Sequence, residues 1–195
     1  MYQKYCKRAL DVLFALLLLP LVLFIIAICG FFIWLEDHGS IFYCSERLGR
    51  NQKIFYMRKL RSMKINAADL RREDCSAICS ANDKRLTKTG EFLRRTSIDE
   101  LPQIFNVLAG EMSFIGPRPD LPEALNCYTA EELGKLRVRP GISGLSQVLY
   151  RNSISQKQKF ELDLYYTEHI TFKMDVRIFV ATLLRVFGQT DIYKD

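Results

Sequence analysis

Apolar residues run without a charge from Val12 to Leu35, a stretch long enough, as one helix, to cross the hydrocarbon core of a bilayer. Pro20 stands inside it, where the missing N–H and the clash with the preceding turn predict a kink. Beyond Glu36 the pattern breaks into short elements. Ser40 to Ser45 and Lys53 to Leu60 are aromatic and β-branched runs flanking Gly49-Arg50-Asn51, which predicts a β-hairpin. Ser97 followed by Glu100 forms a capping-box pattern. It predicts a helix with Asp99 in its first turn, closed by Gly110, with Leu101, Ile104, Phe105 and Leu108 on its apolar face. Pro102 opposes that register, because proline favours the first helical position and disfavours helix in the residue before it.

Thr129 and Glu132 make a second capping box, opening a short helix that ends before Arg139-Pro140-Gly141-Ile142-Ser143-Gly144. A helix over 155–168 carries Phe160, Leu162 and Tyr165. The last helix sets Val176, Phe179, Val180, Leu183, Leu184 and Phe187 on one face, flanked by Lys173, Arg177 and Arg185. Both apolar faces fit either a membrane interface or an ordinary core. The elements sum to a mixed α/β, helix-rich α+β domain with a small hairpin, and no repeat or low-complexity linker marks a second one.

Charge sets the orientation of the apolar run. Lys4, Lys7 and Arg8 precede it and Glu36 and Asp37 follow, which places the N-terminus in the cytoplasm. The basic start also fits a signal peptide, but the run is too long and lacks a small-residue cleavage site. A straight crossing would put everything after Glu36 outside. The six cysteines, Cys6, Cys29, Cys44, Cys75, Cys79 and Cys127, show no disulfide framework spacing, and no Asn-x-Ser/Thr site exists, so the rest of the chain reads as cytoplasmic. A helix that enters, breaks at Pro20 and returns would reconcile the two, making the protein monotopic. A single-pass anchor with a proline kink is the alternative.

Between Arg47 and Arg95 there are 14 Lys/Arg against five Asp/Glu, a local excess larger than the net charge of +6 of the whole chain. Anionic partners follow. Lipid headgroups, a phosphorylated small substrate and nucleic acid could each meet that charge, nucleic acid fitting least, since no binding motif is present and an apolar membrane segment precedes the patch. Cys75-x-x-x-Cys79 lacks a second Cys/His pair, and the only histidines are His38 and His169, so a zinc site is not expected.

Asp99-Glu100 is the strongest chemical signal. A carboxylate at a helix N-terminus, with Arg94 and Arg95 just upstream, should stay ionised. It can then act as a nucleophile without a base, or help hold Mg²⁺ against phosphate oxygens. Acidic residues are also simply favourable in a first turn. In Gly116-Pro117-Arg118-Pro119 two prolines stiffen the backbone around one arginine, which suits a phosphate clamp. The glycine-rich loop at 139–144 could bring backbone N–H groups near a phosphate.

The order of these motifs closely resembles that of the bacterial sugar transferase family, the monotopic polyprenyl-phosphate phosphoglycosyl transferases in their small form. Nearly the whole chain takes part: the proline-interrupted apolar segment, Lys59-Leu60-Arg61-Ser62-Met63, Arg94 to Gln103, Met112 to Pro119, Val138 to Gly144 and Phe160 to Tyr166. Leu19 stands before Pro20 where serine is usual, and Leu48 and Leu149-Tyr150 also depart from the common pattern.

The resemblance implies residues 1–35 as a re-entrant anchor broken at Pro20, and residues 36–195 as a catalytic domain on the cytoplasmic face of the bacterial inner membrane. It implies transfer of a sugar 1-phosphate from a UDP-sugar to undecaprenyl phosphate, with Mg²⁺ and release of UMP, beginning a membrane-borne glycan that downstream glycosyltransferases extend. Asp99 is then the nucleophile that forms a phosphosugar-aspartyl intermediate, and Glu100 its partner in metal binding or in the second step. Arg118 holds substrate phosphates, with Arg94, Arg139 and Lys59 as supporting charges. Two other functions fit the residues alone: a noncatalytic adaptor binding anionic lipid, and a membrane-associated phosphatase working through an aspartyl intermediate.

Overall fold

The computed structural model describes residues 2–67, 83–150 and 154–188. Cys75, Cys79 and Arg151, and the side chain of Phe187, lie outside the described residues. Helix α1 (Lys7–Asp37) is followed by strands β1 (Phe42–Leu48) and β2 (Ile54–Leu60), helices α2 (Lys88–Thr96) and α3 (Gln103–Ala109), and strand β3 (Ser113–Ile115). Strand β4 (Gly141–Ser143) and helices α4 (Leu145–Tyr150), α5 (Gln156–Glu168) and α6 (Phe172–Gly188) complete a helix-rich α+β fold.

α1 is a single helix of 31 residues with Pro20 inside it, roughly 46 Å long. It alone among the described residues is long and apolar enough to cross a membrane. One stripe of it is buried: Asp11, Ala15, Val22, Ile26, Gly30 and Ile33, at helical spacing. That stripe joins Phe55, Met57, Leu60, Leu93, Ile104, Val107 and Met112 in the main core. The remaining faces leave Leu13, Phe14, Leu17, Leu21, Phe24 and Phe31 exposed.

Polar clamps fasten α1 at both ends. Near its start, Arg8 donates to the Val107 and Leu108 carbonyls at the end of α3, 2.6 and 3.1 Å away. Lys7 pairs with Asp175 of α6 at 2.6 Å, and Asp11 accepts from the Ser113 hydroxyl and the Phe114 N–H of β3. At the other end Glu36 accepts the Lys88 and Thr89 N–H groups, capping α2, and Asp37 takes a two-pronged bond from buried Arg61.

β1 and β2 form the expected antiparallel hairpin, from Phe42 opposite Leu60 to Leu48 opposite Ile54. Asn106, fully buried on α3, fastens it: its side-chain oxygen accepts the Arg58 N–H and its amide donates to the Tyr56 carbonyl and to Glu111. β3 and β4 pair in parallel, and glycine permits the close crossing there. A Cβ on Gly141 would lie 2.1 Å from the Gly116 nitrogen.

Two expectations need correction. Ser97 does not open a long helix. It closes α2 in the left-handed region (φ 58°), its N–H bonded to Arg94 and Leu93 carbonyls, and Asp99 sits in a 3₁₀ turn, Ile98–Glu100, before α3 begins beyond Pro102. Proline's preference for a helix start won over the capping-box pattern. The glycine-rich segment is likewise a strand, β4, and not a loop: its Gly141 N–H donates to the Pro117 carbonyl, while Gly141, Ile142 and Ser143 line the same cavity as Asp99.

The second capping box is present, with Thr129 N–H on Glu132 at 2.8 Å and Glu132 N–H on the Thr129 hydroxyl at 3.3 Å, opening a 3₁₀ helix, Glu132–Arg137. On α6, Phe172, Val176, Phe179, Val180, Leu183 and Leu184 are exposed, whereas Asp175 and Ile178 point inward. The apolar face predicted for this helix is therefore not its core face.

Candidate active site

The turn between α2 and α3 delivers Asp99 and Glu100 to a cavity of about 1470 Å³. Asp99 is 7% exposed, and its carboxylate accepts no hydrogen bond among the described residues. Glu100 is held by Lys59, the penultimate residue of β2, with Nζ 2.6 Å from Oε1. The Arg118 guanidinium reaches the same oxygen at 3.9 Å from the exposed side. Arg94 lines the cavity too, its Nε donating to the buried Ser62 hydroxyl at 2.9 Å.

The two adjacent carboxylates are driven apart. Burial pushes the Asp99 pKa up to about 6 against the pull of Lys59, and the charge on Glu100 adds to the rise. Asp99 therefore still ionises at neutral pH, as expected, but in a 3₁₀ turn where burial makes it a weaker acid than an exposed carboxylate at a helix start. Burial also works against the charge on Glu100, but Lys59 and Arg118 more than offset it and hold that carboxyl below the usual range.

Of the residues predicted for the site, Lys59, Arg94, Asp99, Glu100 and Arg118 share the cavity. Arg139 does not reach it: its Nε donates to the Gly110 carbonyl at 2.7 Å, at the C-terminal end of α3 near Arg8. Pro20 lies on an exposed face of α1, while its neighbours Leu18, Val22 and Ile25 form part of the cavity wall. Arg47, Arg61, Ser62, Asp120, Lys135 and Asp163 also line it, and the sequence assigns none of them a role, although Arg61, Ser62 and Asp163 lie in the motifs of the resemblance. Arg47 and Arg61 fell within the basic stretch that pointed to anions. Lys135 carried no signal at all, looking like any surface lysine.

The described residues contain no group of three metal-type ligands. Two neighbouring carboxylates remain, Glu100 paired with Lys59 and Asp99 without a hydrogen bond among the described residues, and oxygen donors of this kind suit a hard divalent cation that takes most of its shell from phosphate oxygens. Cations line one part of the cavity, and Leu18, Val22 and Ile25 of the apolar helix line another. The site thus sets a cationic wall beside two carboxylates and an apolar helix, the features of a class of site suited to phosphate groups on an apolar carrier.

Comparison with known proteins makes the class specific. Residues 2–189 match the family model described as bacterial sugar transferase, and the chain belongs to that family. It is 38% identical over 192 residues to EpsL of Bacillus subtilis, described as an uncharacterized sugar transferase, covering 96% of this chain and 90% of that one. It is 34% identical to the UDP-galactose-lipid carrier transferase of Erwinia amylovora over 202 residues, 98% of this chain but 42% of the relative. The undecaprenyl-phosphate galactose phosphotransferase of Salmonella typhimurium is 32% identical over 205 residues, again 98% of this chain and 42% of the relative. The chain thus spans less than half the length of these last two.

Proposed function

We propose that this protein is a polyprenyl-phosphate phosphoglycosyl transferase that moves a sugar 1-phosphate from a UDP-sugar to undecaprenyl phosphate and releases UMP. The observation that carries the reading is Asp99: a buried carboxylate that accepts no hydrogen bond among the described residues, sharing with Lys59, Arg94 and Arg118 a cavity that continues to the apolar helix. The names of the Erwinia and Salmonella relatives, which pair a sugar with a lipid carrier or undecaprenyl phosphate, agree with it.

In the first step an Asp99 oxygen forms a bond to the β-phosphorus and the bond from that phosphorus to the bridging oxygen breaks, so that UMP leaves with the electron pair. In the second, a phosphate oxygen of undecaprenyl phosphate attacks the phosphosugar-aspartyl phosphorus and regenerates the carboxylate. Arg118 and Arg94 face the phosphate oxygens on which charge accumulates, and Lys59 keeps Glu100 ionised beside them. Asp99 and Glu100 are the residues that would hold Mg²⁺, which when bound neutralises phosphate charge. The cationic part of the cavity suits both phosphates, and the wall at Leu18, Val22 and Ile25 suits an isoprenoid chain.

The same reading places the protein on the cytoplasmic leaflet as a monotopic enzyme. Both ends of α1 are clamped by charged groups to one domain, which supports a helix whose ends share a face of the membrane. The exposed apolar side of α6 supports contact of that domain with the interface. Downstream glycosyltransferases would consume the lipid-linked product.

The deciding experiment incubates the purified protein with Mg²⁺, undecaprenyl phosphate and a panel of UDP-sugars. Lipid-dependent UMP release, with a hexose-phosphate adduct on Asp99 when the lipid is omitted, is expected. An adaptor would release no UMP, and a phosphatase would form free sugar phosphate without the lipid.

A further inference from the structure

Lys135 is 2% exposed, yet it is charged, and it is met by two carboxylates, Asp120 at 2.6 Å and Asp163 at 2.9 Å. Its ammonium also lies over the Phe160 ring, 4.7 Å from the centroid. Asp163 is sealed, 2% exposed, with one oxygen on Lys135 and the other accepting the Ser146 hydroxyl at 2.8 Å. Asp120 differs. Its Oδ2 accepts from both Lys135 and the Tyr128 hydroxyl, whereas Oδ1 has, among the described residues, only a long contact, 3.4 Å, from Gln156. Asp120 lines the same cavity as the Asp99–Glu100 pair, and its side chain is 16% exposed.

The carboxylate is also held from behind. The Asp120 carbonyl accepts the Leu48 N–H at 2.8 Å, and Gly116 at the other end of the loop is wedged against the 139–141 backbone. Burial works against its charge, but Lys135 and Tyr128 more than offset this and keep its pKa below the usual carboxylate range. The result is a fixed anionic acceptor whose Oδ1 is held, among the described residues, only by the long bond from Gln156. Two residues earlier stands Arg118, so the two Cα atoms are within roughly 7 Å of each other.

A lone carboxylate oxygen repels phosphate and accepts hydroxyl protons. In a UDP-sugar the neutral, hydroxyl-bearing group next to the β-phosphate is the sugar itself. We propose that Asp120 is a specificity-determining residue whose Oδ1 accepts a hydroxyl of the transferred sugar when Arg118 holds the adjoining phosphate. This rests on the transferase reading for the identity of the donor.

The test compares equilibrium binding of UDP-glucose, UDP-galactose and UDP to the full chain, wild type against Asp120→Asn. Lys135 and Tyr128 hold the oxygen of an asparagine at this position, so its amide N–H₂ faces the cavity and acceptor becomes donor while the anchor stays. In wild type the preferred UDP-sugar should bind more tightly than UDP. In Asp120→Asn that advantage should fall by about 10- to 100-fold, the worth of a charge-assisted hydrogen bond, with UDP affinity within about twofold of wild type. Equal weakening of UDP and UDP-sugar would overturn the proposal, for it would mean that Asp120 only anchors Arg118 or meets the ribose. So would an unchanged advantage.

Asp120→Glu keeps the charge facing Lys135 but moves the acceptor oxygen by one methylene. It should change the preference between the two C4 epimers, and an unaltered preference in a folded protein also counts against the idea. Tyr128→Phe, which touches only Oδ2, should leave the sugar advantage in place. Binding needs no turnover, so a wild type that binds these nucleotides without lipid-dependent UMP release would count against the transferase and not against Asp120.

Discussion

At the scale of single residues, Asp99 is placed where its charge costs stability. Its folded pKa of about 6 lies above the ordinary 3.8, so the folded state binds the proton more tightly than the unfolded one. Stability therefore declines as pH rises between those two values, by on the order of 2–3 kcal/mol, and the cost is complete above about 6. Asp99→Asn should remove it: at pH 7 the variant should melt several degrees higher than wild type while lipid-dependent UMP release falls by at least about a thousandfold. Differential scanning fluorimetry in detergent and the UMP assay check the two halves. In the proposed mechanism Asp99 attacks as its carboxylate, so kcat/KM should rise with pH through about 6 and level off above 7. Lys59 is the largest influence lowering the Asp99 pKa. Lys59→Met should therefore move the acid limb of the pH–rate profile upward by about one unit or more, and an unmoved limb would show that Lys59 does not act on Asp99.

At the scale of elements, the site depends on how the hairpin is fastened to α3. Asn106→Ala removes the three bonds of a fully buried amide and leaves the Arg58 N–H and Tyr56 carbonyl of β2 without this partner. The expected loss is about 2–4 kcal/mol, read as a lower melting temperature, with a rise in KM as Lys59 loses its register opposite Glu100. Elements of this kind were legible from the sequence where local pattern decides. The hairpin, the α5 and α6 helices and the Thr129–Glu132 cap followed from alternation, periodicity and spacing. The turn holding Asp99 was not, because Ser97-x-x-Glu100 has the same letters whether serine opens one helix or closes another, and Pro102 decided the matter. Arg139 and Lys135 show the other limit. Which basic residue enters the cavity and which caps a carbonyl depends on contacts made across long stretches of chain, and residue type does not distinguish them.

At the scale of the whole molecule, the natural cysteines report the topology. Cys6 precedes α1, Cys44 follows it and Cys127 sits in the catalytic domain, and all three are exposed. In single-cysteine variants all three should react with a membrane-impermeant maleimide in inverted vesicles and none in intact spheroplasts. Labelling of Cys6 and Cys44 from opposite faces would instead mean that α1 crosses. The burial of one stripe of α1 has a consequence for how such a protein can change over time. Six of the positions of this helix, from Asp11 to Ile33, are packed inside the domain, and its ends supply Arg8 and Glu36 as caps for helices elsewhere in the chain. A foreign membrane segment of equal hydrophobicity, spliced in its place, would leave those helix ends uncapped and the core open. The helix is therefore not an exchangeable module, and its sequence can drift freely only on its exposed side.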